Sequence, residues 1–326
     1  MKRLIRIGLL SVLALLLLEG GLRLLGYGRY IIYEPDETLL WVPVQSQQRV
    51  TVAERQTITI NSFGLRYLED FPKQDSEETR IYSFGDSVTM GWGVDDHSHY
   101  SAVLEDALNR GETRKPYRVV SAGVNAYQIS LCVRRFEELL KDGHQIDVAI
   151  FAYSFNTGFE HFDRLQGKER EGMLKRVRLK SILRRSALYN SLIEDFFRAA
   201  VYYRLRDRLT PGTWEVSEQA GQNKESGPIH SYKADLARLH QEAIENDTDL
   251  IFLLLGSMNQ PEMNEFQRTF IEFAELSSIP LVSTFEAFHD QVQEDLFFPG
   301  DVNHPNTAGH ALIAKALFPM AEESVD

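Results

Sequence analysis

The longest apolar run of the chain lies at its amino terminus and covers residues 7–18. Twelve residues are short for a membrane span, but the stretch reaches spanning length when it continues to Leu25. Glu19 and Arg23 interrupt this continuation, and their spacing of four lets them pair on one face of a helix. The pattern predicts a single membrane-spanning helix through residues 4–25.

Three basic residues, Lys2, Arg3 and Arg6, precede the apolar run. Small residues after Leu18 are not well placed for a cleavage site, because Glu19 interrupts every option, so an uncleaved anchor over residues 1–26 is favoured over a cleaved signal peptide. Basic residues stay on the cytoplasmic side of a membrane. The rest of the chain is therefore expected outside the cytoplasmic membrane, in the periplasm.

From residue 80 onwards, the apolar pattern alternates between strand-like and helix-like segments. A nearly continuous apolar run at 147–153 is typical of a buried parallel strand. The alternation predicts an α/β fold with a mostly parallel sheet covered on both faces by helices. The predicted strands are 80–84, 117–121, 147–153, 249–255 and 280–282, and the predicted helices are 100–109, 128–141, 231–245, 262–275 and 307–318.

Two parts of the chain do not follow this alternation. Residues 27–78 form a β-rich lead-in segment, in which 48–52 and 57–61 alternate as short strands do. A helical insertion interrupts the pattern at about 157–230, where apolar pairs recur every four residues over 188–201 and predict an amphipathic helix. The remaining domain covers residues 79–326.

The chain carries 35 basic and 47 acidic residues, a net charge of −12, which argues against a general affinity for nucleic acid. The sign reverses within residues 164–208, which hold 13 Lys and Arg against five Asp and Glu. This basic segment is interpreted as a solvated helix face, or as a contact with anionic lipid head groups or an anionic glycan. The single cysteine, Cys132, excludes an intrachain disulfide and a cysteine-cluster zinc site, and a buried apolar role is expected for it.

Ser87 is the first candidate for chemistry, since Gly85-Asp86-Ser87 directly follows a predicted strand. Ligands bind at the carboxyl ends of strands in open α/β sheets, and a serine at the start of the next helix is exposed there as a nucleophile. Ser87 alternatively only caps that helix. Asp301 and His304 share a loop before the last helix, where the carboxylate would orient the imidazole; alternatively Asp301 only caps a turn.

Two further residues follow predicted strands and can donate hydrogen bonds to an oxyanion. Gly123 would offer a bare backbone N–H, and Asn156 a side-chain amide; alternatively, Gly123 only forms a turn and Asn156 only caps a helix. His97 and His99 lie in a polar loop, where a polar role is favoured over a metal site, and His310 is expected to be structural.

Together these segments resemble the GDSL/SGNH hydrolase superfamily. The resemblance implies a three-layer α/β/α sandwich of flavodoxin-like type, with Ser87 as nucleophile, His304 as general base and Asp301 as its orienting carboxylate. It implies an oxyanion hole formed by the N–H groups of Ser87 and Gly123 and by the side chain of Asn156, with no metal and no cofactor. The chain departs from the family at residues 154–157, where Ser-Phe-Asn-Thr replaces the usual Gly-x-Asn-Asp.

Residues 61–66 also resemble the lead-in of membrane-anchored bacterial members. The expected function is a serine esterase acting on an O-acyl group of a glycan or lipid outside the membrane. An O-acyltransferase to a cell-envelope or exported polysaccharide would use the same triad and is the first alternative. The second is a non-catalytic glycan-binding or assembly module, and an envelope-assembly protein is a further candidate partner.

Overall fold

The structure is a computed structural model of the 326-residue chain, and it describes residues 1–51, 56–110, 115–154, 165–193, 228–256, 263–289, 295–299, 301 and 303–324. Helix α1 spans Lys2–Leu24, and none of its residues is buried. It is long and apolar enough to cross a membrane, with a mean hydropathy of 2.0. The predicted pairing is confirmed, since Arg23 Nε donates to Glu19 Oε1 at 2.7 Å.

Five parallel strands form the central sheet, in the order β6-β5-β7-β8-β9. All five were predicted from the apolar pattern, and no end differs from the prediction by more than one residue. The strands are β5 Thr79–Phe84, β6 Tyr117–Ser121, β7 Val148–Tyr153, β8 Asp249–Leu254 and β9 Leu281–Ser283.

Helices cover both faces of this sheet. Helices α3 (Tyr100–Leu108) and α10 (Thr307–Glu323) pack on one face, and α4 (Ile129–Lys141), α7 (Pro228–Glu245) and α8 (Glu265–Leu276) pack on the other. The short helix α9 spans Phe285–His289. Alternate side chains of β7 enter the two cores: Phe151 and Tyr153 enter the core shared with α4, α7 and α8, whereas Ile150 and Ala152 enter the core shared with α3 and α10. The three-layer α/β/α architecture is therefore confirmed.

Helix α10 continues five residues beyond its predicted end at residue 318. The predicted end falls directly before Pro319, and proline lacks the N–H of an interior helix bond. The helix nevertheless includes Pro319. Ala321, beyond the proline, is fully buried in the core with α3, so tertiary packing overrides the local preference of the proline.

The lead-in segment forms two antiparallel hairpins. Strands β3 (Gln47–Val50) and β4 (Thr57–Ile60) confirm the predicted pair, while β1 (Tyr33–Asp36) and β2 (Leu40–Pro43) were not predicted individually. Trp41 and Phe71 of the lead-in enter the same core as α4. The division between a lead-in at 27–78 and a domain at 79–326 stays a prediction.

The described part of the insertion contains α5 (Gly167–Leu183) and α6 (Ala187–Asn190). Helix α5 was not predicted, because its charged and apolar residues are mixed around the helix instead of separating onto two faces. The amphipathic helix predicted over 188–201 begins as α6 but continues as a π-helical turn at 191–193. The rest of that prediction, at 194–201, lies outside the described residues.

Candidate active site

The candidate residues gather at the point where the winding of the sheet reverses. Strand β5 comes first along the chain and lies between β6 and β7, the second and third strands. The connections from β5 and from β6 therefore leave on opposite faces, through α3 and α4. Ligands bind in the crevice that such a reversal opens at the carboxyl ends of the strands. Ser87, Gly123 and Ser154 each follow one of these three strands.

Ser87 is the first residue of a short helix, α2, which covers Ser87–Met90. Asp86 caps this helix, since its Oδ1 accepts a hydrogen bond from Val88 N at 2.9 Å. The alternative in which Ser87 is merely the cap is therefore wrong. As the first helical residue, Ser87 has a backbone N–H without a partner inside the helix.

Ser87, His304 and Asp301 form a hydrogen-bonded series. Ser87 Oγ lies 2.9 Å from His304 Nε2, and His304 Nδ1 lies 2.8 Å from Asp301 Oδ2. The second carboxylate oxygen, Asp301 Oδ1, accepts from the backbone N–H groups of Asn303 at 2.8 Å and His304 at 3.0 Å. Asp301 thus both fixes the turn and orients the imidazole, so the two interpretations of this residue hold together.

The carboxyl of Asp301 is charged at neutral pH. Burial raises its pKa, but the hydrogen bond and charge of His304, with the two backbone donors, outweigh burial and lower the pKa below its usual value. A charged carboxylate at this position accepts from Nδ1–H, which leaves the Nε2 lone pair directed at Ser87. The geometry therefore holds the tautomer of His304 that a general base needs.

An aromatic wall lies against this series. The Trp92 ring lies 4.2 Å from the His304 ring, centroid to centroid, with the planes inclined at 32°. Phe298 meets Trp92 edge-on at 6.2 Å. Trp92 N also donates to Ser87 O at 2.9 Å, so the same residue contacts both the helix and the imidazole. Its place two residues after the end of α2 is the sequence signal that would have identified it.

Gly123 approaches the backbone of α2 so closely that no side chain fits. A Cβ at this position would lie 2.5 Å from Met90 N and 2.7 Å from Thr89 C. The adjacent N–H groups are both used, because Ala122 N donates to Ser83 O and Val124 N to Gly85 O. The N–H of Gly123 has no acceptor among the described residues. This N–H can therefore donate to a ligand.

The Asp86 carboxylate is buried and contacts the end of β7. Ser154 Oγ donates to Asp86 Oδ2, so the serine at the departure from the family pattern contacts the cap of α2, the helix that begins with Ser87. Burial raises the pKa of Asp86, although the bonds from Ser154 and from Val88 N oppose the increase. The sequence analysis did not identify this contact. Asn156, the third predicted oxyanion donor, lies outside the described residues.

Buried Arg66 of the lead-in holds the other end of α2. Its Nη1 donates to the carbonyls of Met90 at 2.6 Å and Gly91 at 2.8 Å, and its Nη2 forms an ion pair with Asp96 at 3.2 Å. Arg66 N also donates to Ser121 O at 2.9 Å, at the end of β6. The lead-in thus supports two of the three loops that carry site residues.

The remaining candidates do not join this cluster. His97 is exposed, whereas His99 is buried. His310 is buried and accepts from Tyr100 N at 3.2 Å, and burial lowers its pKa to about 3. Across the part of the chain that the structure describes, no three His, Cys, Asp or Glu side chains converge as metal ligands would. Cys132 is buried, as expected.

No protein-family model and no curated protein sequence matches the chain. Several solved structures are similar to it. One is named TesA, with 16% identity, a TM-score of 0.45, and coverage of 76% of this chain and 100% of that chain. A structure from Desulfitobacterium hafniense, named as a lipolytic protein of the G-D-S-L family, has 13% identity, a TM-score of 0.40, and coverage of 76% and 99%. A catalytic mutant of Axe2, an acetylxylan esterase from Geobacillus stearothermophilus, has 16% identity, a TM-score of 0.42, and coverage of 74% and 93%.

The G-D-S-L family of one of these structures is the family that the sequence motifs resemble. With every quoted TM-score below 0.5, the interpretation of the site rests on the geometry of this chain's own residues.

Proposed function

We propose that this chain is a serine esterase that hydrolyses an O-acyl ester of a glycan or lipid outside the cytoplasmic membrane. One observation carries the proposal: Ser87, His304 and Asp301 are joined by hydrogen bonds of 2.9 and 2.8 Å at the winding reversal of the sheet. A role of Ser87 as a helix cap would not account for this series of hydrogen bonds. Three side chains from two distant parts of the sequence meet in the order that nucleophilic catalysis requires.

In the first half of the reaction, His304 Nε2 takes the proton of Ser87 Oγ as the oxygen attacks the ester carbonyl. The new C–O bond gives a tetrahedral oxyanion. The N–H groups of Ser87 and Gly123 and the side chain of Asn156 are the proposed donors to this charge. Collapse breaks the bond to the alcohol, which leaves with the proton from His304, and Ser87 keeps the acyl group.

In the second half, water attacks the acyl-enzyme and gives its proton to His304. The second tetrahedral oxyanion uses the same donors. Its collapse breaks the bond to Ser87, which recovers a proton from His304, and releases the carboxylic acid. The charged Asp301 carboxylate stabilises the imidazolium that forms in each half. The Trp92 ring, inclined by 32° to the His304 ring, adds a cation–π contact to that imidazolium.

The proposed location follows from α1 and the charges around it. The helix is 23 residues long, about 35 Å at 1.5 Å per residue, against a hydrocarbon core of about 30 Å. Lys2, Arg3 and Arg6 at its start favour a cytoplasmic amino terminus. The esterase would then act on substrates in the periplasm, close to the membrane.

Hydrolysis of p-nitrophenyl esters of increasing chain length, and of an O-acetylated oligosaccharide, tests the proposal on the full-length chain in detergent. Ser87→Ala, His304→Ala and Asp301→Asn should each lose activity, with the last expected to fall by about 10²–10⁴-fold because the imidazole loses its orienting charge. His97→Ala, in an exposed loop, is the matched control and should hydrolyse at the wild-type rate.

Two results would contradict this assignment. A folded wild-type chain without activity on any ester would favour the binding module. Acyl transfer to an added glycan in place of acid release, lost in the Ser87→Ala variant, would keep the triad but identify an acyltransferase.

A further inference from the structure

The membrane helix is attached to the insertion by the carboxylate of Glu19. Glu19 Oε1 accepts from Ala187 N at 2.9 Å, and Oε2 accepts from Leu188 N at 2.8 Å and Ser186 Oγ at 2.9 Å. The N–H groups of Ala187 and Leu188 are the first backbone donors of α6, which have no partner inside that helix, and Ser186 is its cap. A side chain of the membrane-spanning sequence therefore holds the start of α6.

Other contacts make the same junction rigid. Arg23 Nη2 donates to Arg185 O at 2.6 Å. A Cβ at Gly28 would lie 2.4 Å from Ala187 Cα, so the chain leaving α1 also packs directly on α6. Buried Arg184 donates to Ile31 O at 2.9 Å, which joins the end of α5 to the lead-in. The junction of α5 and α6 is thus fixed to the last two turns of α1.

This attachment sets the depth of the insertion relative to a membrane. Glu19 lies five residues before the end of α1 at Leu24, about 7–8 Å along the helix axis. If α1 spans the hydrocarbon core, Glu19 lies at the outer interface, and α6 lies there with it. The end of α5 and the start of α6 would then contact the zone of lipid head groups.

The charges of the segment match that zone. Residues 172–193, which we call the docking segment, contain six Lys and Arg and no Asp or Glu. The two acidic residues of α5, Glu169 and Glu171, lie at its other end, away from α1. A strongly acidic protein thus presents one uniformly basic segment where the membrane helix meets the domain.

The same segment exposes apolar side chains that no part of the described protein covers. Leu179, Ile182 and Leu183 share one face of the last turns of α5 and are 58%, 62% and 36% exposed. Leu192 and Ile193 follow α6 and are 54% and 42% exposed. Apolar side chains beside basic ones are the composition of interfacial membrane segments. A purely solvated face would not need them.

We propose that the docking segment is a second membrane contact, whose leucine and isoleucine side chains insert at the interface while its lysine and arginine side chains bind anionic phospholipid head groups. It holds the esterase domain at a fixed angle to the bilayer. This inference rests on the membrane anchoring in the proposed function and is independent of the triad. Charge complementarity and continuity with α1 favour a bilayer over a soluble anionic glycan as the occupant.

Site-specific fluorescence on the full-length chain tests this contact. Ile182→Cys carries an environment-sensitive nitrobenzoxadiazole label in a Cys132→Ala background, and Leu276→Cys, 87% exposed on α8, carries the control label. The protein is reconstituted into vesicles of phosphatidylcholine alone or of equimolar phosphatidylcholine and phosphatidylglycerol. Nitroxide lipids labelled near the head group act as quenchers. Carbonate extraction checks that α1 is inserted.

The proposal predicts blue-shifted emission at position 182 in the anionic vesicles, and quenching there several-fold stronger than at position 276. The combined variant Lys175→Glu, Arg176→Glu, Arg178→Glu should lose most of this difference, as should high salt. Ser87→Ala should leave it unchanged, so a failure of the esterase assignment would remain separate. Equal quenching at 182 and 276 would overturn the proposal. Extraction of the chain by carbonate would also overturn it, as would quenching at position 182 that is equally strong with and without the anionic lipid.

Discussion

Ser154 donates a hydrogen bond from its hydroxyl to the buried carboxylate of Asp86. The contact joins the end of β7 to the residue that caps α2, the helix that begins with Ser87. The family that the motifs resemble usually has glycine where this chain has Ser154, so the contact belongs to a position where the chain departs from the family pattern. It also explains how a carboxylate that is otherwise costly to bury is accommodated beside Ser87.

Ser154→Ala should therefore weaken both the fold and the site. Without the hydroxyl, the Asp86 carboxylate retains the Val88 N–H but loses its side-chain donor, and we expect a loss of about 1–3 kcal/mol in the free energy of unfolding. kcat should fall while KM changes little, because α2 and not the substrate cleft is disturbed. Urea unfolding and steady-state kinetics measure the two effects. Ser154→Thr keeps the hydroxyl and should recover most of both; a Thr variant as impaired as the Ala variant would contradict this role.

Gly123→Ala should inactivate the enzyme by geometry alone. The new methyl group would meet Met90 N at 2.5 Å, so either α2 or the Gly123 N–H has to move. Loss of one oxyanion donor costs about 10²–10³ in kcat. Gly172→Ala, in the interior of α5, is the matched control, because its nearest neighbour is 4.0 Å away, and it should be neutral or stabilising by up to about 1 kcal/mol. Equal kcat in the Gly123→Ala variant and the wild type would remove Gly123 from the oxyanion hole.

Trp92→Ala should reduce kcat because the imidazole loses the ring that lies 4.2 Å from it. We expect an effect of about tenfold, in line with a cation–π contact of about 1–2 kcal/mol in a partly desolvated site. Trp92→Phe retains an aromatic face and should lose less. Phosphonate inhibition rates on the two variants separate this effect from substrate binding; equal rates in the Ala variant and the wild type would exclude it.

His144 should make the fold sensitive to acid. Burial, with the positive charge of Lys73, lowers its pKa from the ordinary 6.5 to about 4 in the folded protein. Below pH 6.5 the unfolded chain binds a proton that the folded chain does not, so stability falls as the pH decreases from about 6.5 to about 4. Each pKa unit corresponds to about 1.4 kcal/mol.

His144→Gln removes this proton uptake and should flatten that part of the profile, as measured by urea unfolding at a series of pH values. His97→Gln, in the exposed loop, should keep the wild-type slope. Parallel profiles for the His144→Gln variant and the wild type would show that His144 titrates normally.

The apolar pattern predicted all five strands of the central sheet, because buried parallel strands are short continuous apolar runs that need no tertiary information to be identified. It did not predict α5, whose stability comes from contacts with β1 and β2 and not from an amphipathic sequence. The predicted end of α10 was wrong for a related reason: burial of Ala321 stabilises the last helical turn more than Pro319 destabilises it.

The sequence offered Ser87 after a predicted strand and Asp301 with His304 on one loop, and the family resemblance joined the three residues into one candidate site. The contacts of Ser154, Arg66 and Trp92 were not predictable, because they join residues that only the folded topology brings together. The bond from Glu19 to α6 is the extreme case, since 168 residues separate the carboxylate from Ala187 N.

Covalent labelling of Ser87 tests the central claim most directly. The full-length chain is treated with a fluorophosphonate, the adduct is measured by intact mass, and the modified peptide is sequenced. The account predicts one adduct per chain, on Ser87, absent from Ser87→Ala and strongly slowed in His304→Ala, while His97→Ala reacts like the wild type. A folded wild-type chain that forms no adduct, or one labelled at another serine, would contradict the assignment of Ser87 as an activated nucleophile.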